Sequence, residues 1–316
     1  MSHVKIPLFA IKPESAIPFN LFRKEEDHYA LVVEDGDIFP KNLSNLMLNY
    51  PNNEPCVYLH KKDKPKYYAY LENFLGKITQ DTEVSVKEKS ALIYDFAANT
   101  LDNLFQNPES KELMNRSKNL ILNTINIIFA HDNSVKSMME ISSHDYYTYT
   151  HSVDVSLFSM GFVNYLNYSY DDMANIGYAA LLHDIGKSKI PLEILNKKAL
   201  LASDEFEIMK HHPKYGCEIL QFHGEKNNDI LNPVRHHHEK ALGTGYPDKL
   251  IATKTHEFAK IIAIADIFSA LTTKRSYKEA YSSFNALQLM KNDMLHDLDK
   301  HLFFEFVKFM TTISRQ

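Results

Sequence analysis

The sequence predicts an α+β chain of two domains, a small α/β domain over residues 1–82 followed by an all-α domain over residues 83–316. Three observations carry this. Short runs rich in β-forming residues fill the first part of the chain. From about residue 85 a 3.6-residue hydrophobic period takes over and no useful strand alternation interrupts it. Of sixteen histidines, ten gather between residues 144 and 256 beside a few carboxylates, within the helical part.

In order along the chain, residues 4–11, 19–23 and 29–33 read as strands, with Asp35-Gly36-Asp37 as a turn after the third. Residues 42–49 read as a short helix, 55–59 as a strand, and 66–75 as a strand or a helix. His3, His28 and His60 are isolated there, which fits surface or structural roles. In the second domain Ala91, Ile93, Tyr94, Ala97, Ala98, Leu101, Leu104 and Phe105 mark one helix. Pro108 stands before a second over 111–129. Further helices are expected at 145–166, 171–183, 204–222, 227–237, 256–272, 283–294 and 299–313.

Bulk properties exclude several classes. A net charge of −5 argues against a polymer-wide nucleic-acid binder. No run approaches the roughly eighteen apolar residues of a membrane span, and the N-terminus lacks the layout of a secretory signal. Only Cys56 and Cys217 occur, so a reducing cytoplasm fits better than a disulfide framework.

The chemistry gathers at a few places. Met173, Ile176, Ala180 and His183 fall on one helical face, which brings His183-Asp184 to the edge of a core. Gly186 then permits a tight turn, and Lys187 points back to the same place. His151 lies on a face with Tyr147, Val155, Phe158 and Phe162 and so points inward. Asp266 interrupts an apolar helix at 261–271, and a buried carboxylate needs a partner, such as a metal, an arginine or a helix N-terminus. His211-His212-Pro213 and His236-His237-His238-Glu239 complete the set, the latter just before Gly243-Thr244-Gly245-Tyr246-Pro247, whose glycines permit close backbone approach to a ligand. Separations of roughly one helical hairpin let several helices each deliver ligands to a shared centre. Nitrogen and carboxylate donors without cysteine suit iron, manganese, zinc or nickel. Seven ligands exceed one tetrahedral zinc and suit two ions, for which phosphoester hydrolysis is the natural reaction.

From about residue 85 to 313 the chain resembles the HD-GYP family, a bacterial branch of the HD phosphohydrolases. The resemblance rests on Tyr147-Thr-Tyr-Thr-His-Ser, His183-Asp-Ile-Gly-Lys, His212-Pro, His237-His-Glu, Gly243-Thr-Gly-Tyr-Pro, Ala265-Asp and Arg275-Ser-Tyr-Lys278, in the right order. It implies a helical HD domain that hydrolyses cyclic di-GMP to pGpG or GMP with two divalent transition metals, iron first and manganese next. By resemblance, His151, His183, Asp184 and Asp266 hold one metal, and Asp184, His212, His237 and His238 the second, with Asp184 bridging. Lys187 contacts phosphate, Arg275 and Lys278 hold a substrate phosphate, and Gly243, Gly245 and Tyr246 line the substrate. The implied partners are the cyclic dinucleotide and a signalling protein met through the Gly-Tyr-Pro loop or the N-terminal domain, with no nucleic-acid polymer and no membrane. Three positions depart from the family pattern. Tyr147 replaces a glutamate associated with a third metal, Leu242 replaces an aspartate, and Ser269 replaces a second aspartate one turn from Asp266. Two alternatives follow: a metal-loaded receptor with little or no turnover, and another HD-type phosphohydrolase or di-iron activity.

Overall fold

The structure, a computed structural model, describes residues 2–41, 56–130, 136–137, 148–273 and 280–315. Contacts group the chain into two units, Met1–Leu92 and Ile93–Gln316. The division falls inside one long helix, at 92/93 where the sequence reading places it at 82/83.

In the first unit β1 (His3–Pro7), β2 (Leu21–Glu25), β3 (His28–Val33) and β4 (Cys56–His60) form an antiparallel sheet in the order β1-β4-β2-β3. The strand expected over 4–11 ends at Pro7 and gives way to a 3-10 turn over Leu8–Ala10. Proline has no N–H to continue a ladder, so the strand stops there. The ambiguous stretch at 66–75 is helical, as α1 (Lys64–Glu72), followed by α2 (Leu75–Gln80). Tyr67, Tyr68 and Leu71 on α1 are buried with Phe19, Leu21, Val57 and Leu59 as the core of this unit. The helix expected over 42–49 lies outside the described residues. His3 and His60 are not isolated, since they are cross-strand partners with ring centroids 4.2 Å apart.

The long helix α3 (Val86–Gln106) leads to α4 (Lys111–Ala130) and α5 (Thr148–Tyr165). Every residue of α5 from 150 to 163 is buried. A helix buried all round, polar residues included, belongs at the centre of a domain, and α5 packs against α6 (Tyr170–Leu181), α11 (Glu257–Thr272) and α13 (Lys300–Arg315). The start of α6 is fixed by a capping box, with the Ser169 hydroxyl on the Asp172 amide and the Asp172 carboxylate on Ser169.

One helix was expected over 204–222, and two form: α8 (Ser203–Met209) and α9 (His212–Phe222). Pro213 forces the break, because it cannot donate to the carbonyl of Met209 and is tolerated only in the first turn of a new helix. The 3-10 turn Ile185–Lys189 and the short α7 (Leu192–Leu195) were not expected. Then come α10 (Asn228–His236), capped by the Asn227 side chain, and α12 (Ser283–Leu289). The last turns expected of α12 widen into a π turn over Met290–Met294. Among the described residues the second unit has no strand, only a single bridge between Leu242 and Ile251.

Candidate metal centre

Three histidines of the second unit sit where a helix ends or breaks, and each uses the backbone carbonyl three residues before it. A helix terminus leaves carbonyls without intrahelical donors. His183, just past α6, places Nδ1 2.7 Å from the carbonyl of Ala180. His212 places Nδ1 2.8 Å from the carbonyl of Met209, whose usual donor Pro213 cannot supply. His237, just past α10, places Nδ1 2.8 Å from the carbonyl of Val234. A carbonyl only accepts, so in each neutral ring Nδ1 carries the proton and Nε2 presents a bare lone pair.

Those lone pairs converge. Nε2 of His212 and Nε2 of His237 face each other at 3.3 Å. Asp184 turns Oδ1 to Nε2 of His212 at 3.2 Å and Oδ2 to Nε2 of His183 at 3.4 Å. Nε2 of His183 and Oδ1 of Asp184 are buried and make no hydrogen bond. Acceptors facing acceptors in a dry site repel unless a cation lies among them. The donors form two groups, Asp184 with His212, His237 and His238, and His151 with His183 and Asp266, each with ligand atoms within 4.8 Å of one another. The residues therefore fit a metal centre on their own geometry, and the all-nitrogen-and-oxygen donor set suits a divalent transition ion.

Burial and charge act together on these groups. Burial works against ionisation of Asp184, yet Lys187 and His183 hold its carboxyl well below the usual range. Asp266 is likewise depressed, against burial, by the imidazole of His151. Burial with neighbouring imidazoles pushes His237 well down and His238 down to about 3. Burial also lowers His151, in spite of Asp266. His183 alone rises, because the Asp184 carboxylate outweighs its burial.

Gly186 makes the approach of these elements possible. A Cβ there would lie 1.9 Å from the carbonyl oxygen of His212 and 2.4 Å from the amide of Gly216. Lys187 comes next and sets Nζ 2.5 Å from Oδ2 of Asp184, with its side chain 18% exposed. The cation thus sits at the mouth of the centre.

The Tyr246 ring lies against His238 at a tilt of 34°, with ring centroids 4.8 Å apart, and its amide donates to the carbonyl of His238. Burial pushes its phenol up. The expectation that the glycines let a ligand approach is met differently at Gly245. A Cβ there would strike the chain itself, 2.5 Å from the carbonyl of His238 and the amide of Lys240. Gly243 takes φ +73° at the turn before it. Leu242 is 64% exposed and joins neither ligand group. Tyr147, Arg275 and Lys278 lie outside the described residues.

Arg235 and Asp248 were not singled out in the sequence, and Glu239 was named only as the end of a histidine run. The buried Glu239 carboxylate accepts from the amides of Asp248 and Leu250. Asp248 in turn accepts from Arg235 and His236, and Arg235 with His236 holds it down to about 2. Together they pin the loop that carries Tyr246. Glu239 stands in the His237-His-Glu run, which was its only sequence signal.

A family model described as an HD domain matches residues 134–302. A Pseudomonas aeruginosa protein named cyclic di-GMP phosphodiesterase PA4108 is 33% identical over 181 residues, or 57% of this chain and 44% of that protein. The Xanthomonas campestris cyclic di-GMP phosphodiesterase response regulator RpfG is 42% identical over 126 residues, 39% of this chain and 32% of that protein. A Vibrio cholerae protein named 3'3'-cGAMP-specific phosphodiesterase 2 is 30% identical over 187 residues, 55% of this chain and 36% of its own length. The chain spans less than half of each of these relatives. In structure it is similar to Bd1817, an HDG"Y"P protein from Bdellovibrio bacteriovorus, with a TM-score of 0.68 at 21% identity, over 98% of this chain and 99% of that one. These findings bear out the resemblance drawn from the motifs, and the likeness to Bd1817 shows a shared fold.

Proposed function

We propose that this chain, which belongs to the HD domain family, is a metal-dependent phosphodiesterase that hydrolyses cyclic di-GMP to pGpG or GMP at a binuclear centre. One observation supports this most. The two oxygens of Asp184 turn to different histidines, one in each ligand group, as a bridging carboxylate would. His151, His183, Asp184 and Asp266 on one side and Asp184, His212, His237 and His238 on the other would hold a pair of divalent cations, iron first and manganese next, which would supply Lewis acidity and an activated water.

The remaining work belongs to the chain. Asp184 and Asp266 offset cationic charge in a site where burial would otherwise exclude it. Lys187, partly exposed beside Asp184, places an ammonium where charge develops on a phosphoryl oxygen. Attack by a water oxygen on phosphorus breaks one ester bond and leaves a 5′-phosphate and a 3′-hydroxyl. Tyr246, with Gly243 and Gly245 shaping its loop, lines the approach to His238. Arg275 and Lys278 complete the phosphate contacts. Residues 1–82 act as a regulatory domain, and a signalling partner meets the chain there or at the Gly-Tyr-Pro loop. No nucleic-acid polymer or membrane is engaged, and the setting is cytoplasmic. No helix among the described residues is long and apolar enough to cross a membrane.

The experiment is turnover of cyclic di-GMP by anaerobically prepared protein loaded with iron or manganese, with 3'3'-cGAMP in parallel. Conversion of cyclic di-GMP to the linear dinucleotide supports the reading. Cleavage of 3'3'-cGAMP alone moves it to another cyclic dinucleotide. Tight binding of cyclic di-GMP without cleavage replaces it with the receptor reading, which Leu242 and Ser269 would then explain.

A further inference from the structure

The loop that leaves α10 at His237 comes back to the helix end it left. Arg235 and His236 are the last two residues of α10. Oδ2 of Asp248 lies 2.7 Å from Nε of Arg235 and 2.8 Å from Nε2 of His236, and its Oδ1 lies 2.9 Å from Nη2 of Arg235. An isolated ion pair at 30% and 35% exposure would hold little. A guanidinium fork on both oxygens of one carboxylate is stronger and fixes direction as well as distance.

Tyr246 stands two residues before this clasp. Pro247 lies between them and keeps its φ at about −65°, so the Tyr246 ring and the Asp248 anchor have little freedom relative to each other. The Tyr246 amide donates to the carbonyl of His238, and its ring lies against His238. On the other side Gly245 is pressed onto the chain, since a Cβ there would lie 2.6 Å from Cα of Glu239. Beneath the loop the Glu239 carboxylate accepts from the amide of Asp248 at 2.7 Å and from that of Leu250 at 2.9 Å. Leu242 is 64% exposed, and its aliphatic side chain can make no such bond, while its backbone bridges Ile251.

We propose that Asp248 is a positioning residue for the hydrolysis: clasped by Arg235 and His236, it holds Tyr246 against His238, and it does so without help from the side chain at position 242. The inference rests on the phosphodiesterase reading above, because that reading puts Tyr246 on the approach of the substrate. A ring that lines the approach meets substrate and transition state alike, so loosening it raises KM and spares kcat.

The test uses the full chain loaded with manganese, with cyclic di-GMP hydrolysis and hydrogen exchange by mass spectrometry as readouts. Asp248→Ala should raise KM roughly threefold to tenfold, as loss of a charge-assisted fork at partial exposure implies. Its kcat should stay within about twofold of wild type, with metal content unchanged. Exchange should quicken over residues 239–251 and not in α5 or α11. Arg235→Gln should do the same, and the double variant should be no worse than either single one, since both break one contact. Asp248→Glu keeps the charge and should recover most of the KM. Leu242→Asp should leave KM and loop exchange as they are. Unchanged KM and unchanged loop exchange in Asp248→Ala overturn the proposal. So do metal loss with exchange raised throughout the helical unit, which would mark a merely structural role, and a Leu242→Asp variant that lowers KM or protects the loop. A wild type that never cleaves cyclic di-GMP removes the phosphodiesterase reading instead. Exchange then decides the clasp alone: faster loop exchange in Asp248→Ala keeps it, and unchanged exchange ends it.

Discussion

At His183, His212 and His237 the partner of Nδ1 decides what the other ring nitrogen can do. His183, His212 and His237 owe their bare Nε2 atoms to carbonyls exposed by helix ends, and His212 owes its carbonyl to Pro213. The same residues set the response to acid. His151, His237 and His238 titrate below the ordinary histidine value, His238 near 3. Between about pH 6.5 and 3 the unfolded chain therefore takes up protons that these folded rings refuse, and stability falls as pH falls. His183, held above its ordinary value by Asp184 against its burial, runs the other way but is one ring against three. The depressed Asp184 and Asp266 add to the loss only below the ordinary carboxylate range. The melting temperature of metal-stripped protein should accordingly drop steadily from pH 7 to pH 5, and a flat or rising profile would refute this ledger of protons. Lys187 gives a second test at this scale. If its ammonium meets charge developing in the transition state, Lys187→Ala should lower kcat by roughly tenfold or more with a smaller change in KM. If it only caps the turn that follows Asp184, the variant should lose about 0.3–1 kcal/mol of stability and keep its kinetics.

At the scale of elements, the helices that deliver ligands were legible because their apolar periods are long: α5, α6, α10 and α11 all form within a few residues of expectation. His151, Val155, Phe158 and Phe162 are buried as their spacing implied. The breaks were harder to see. The two helices read as one over 204–222 are separated by a proline whose consequence is local backbone chemistry rather than periodicity. The pairing of His151 with Ser269 joins residues 118 apart in sequence, and no local pattern announces it. Gly186 stands between these cases: its role as a tight turn could be read, but its contact with α9 could not. A methyl group there meets backbone atoms that cannot rotate away. Gly186→Ala should cost at least about 3 kcal/mol and strip metal from the protein. Circular dichroism melts and metal analysis together decide it, since an unchanged melting temperature would mean that the turn and α9 do not abut as described.

At the scale of the whole molecule, the ligands come from three helices, α5, α9 and α11, and from the turns that follow α6 and α10, all in the unit Ile93–Gln316. The family and its chemistry could be read because these ligand runs keep a fixed order along some 116 residues, from His151 to Asp266. The division of the donors into two groups around Asp184 came from the family resemblance and not from the spacing of the runs, because it depends on packing. Asp184 alone serves both groups in this account, so activity and metal content must rise together through two ions. The most direct measurement is stepwise addition of manganese to stripped, anaerobic protein, with cyclic di-GMP hydrolysis followed at each equivalent. Hydrolysis should stay low through the first equivalent and climb to its plateau with the second, and Asp184→Ala should abolish the climb. A plateau reached at one equivalent, or hydrolysis that persists without metal, would contradict the binuclear centre.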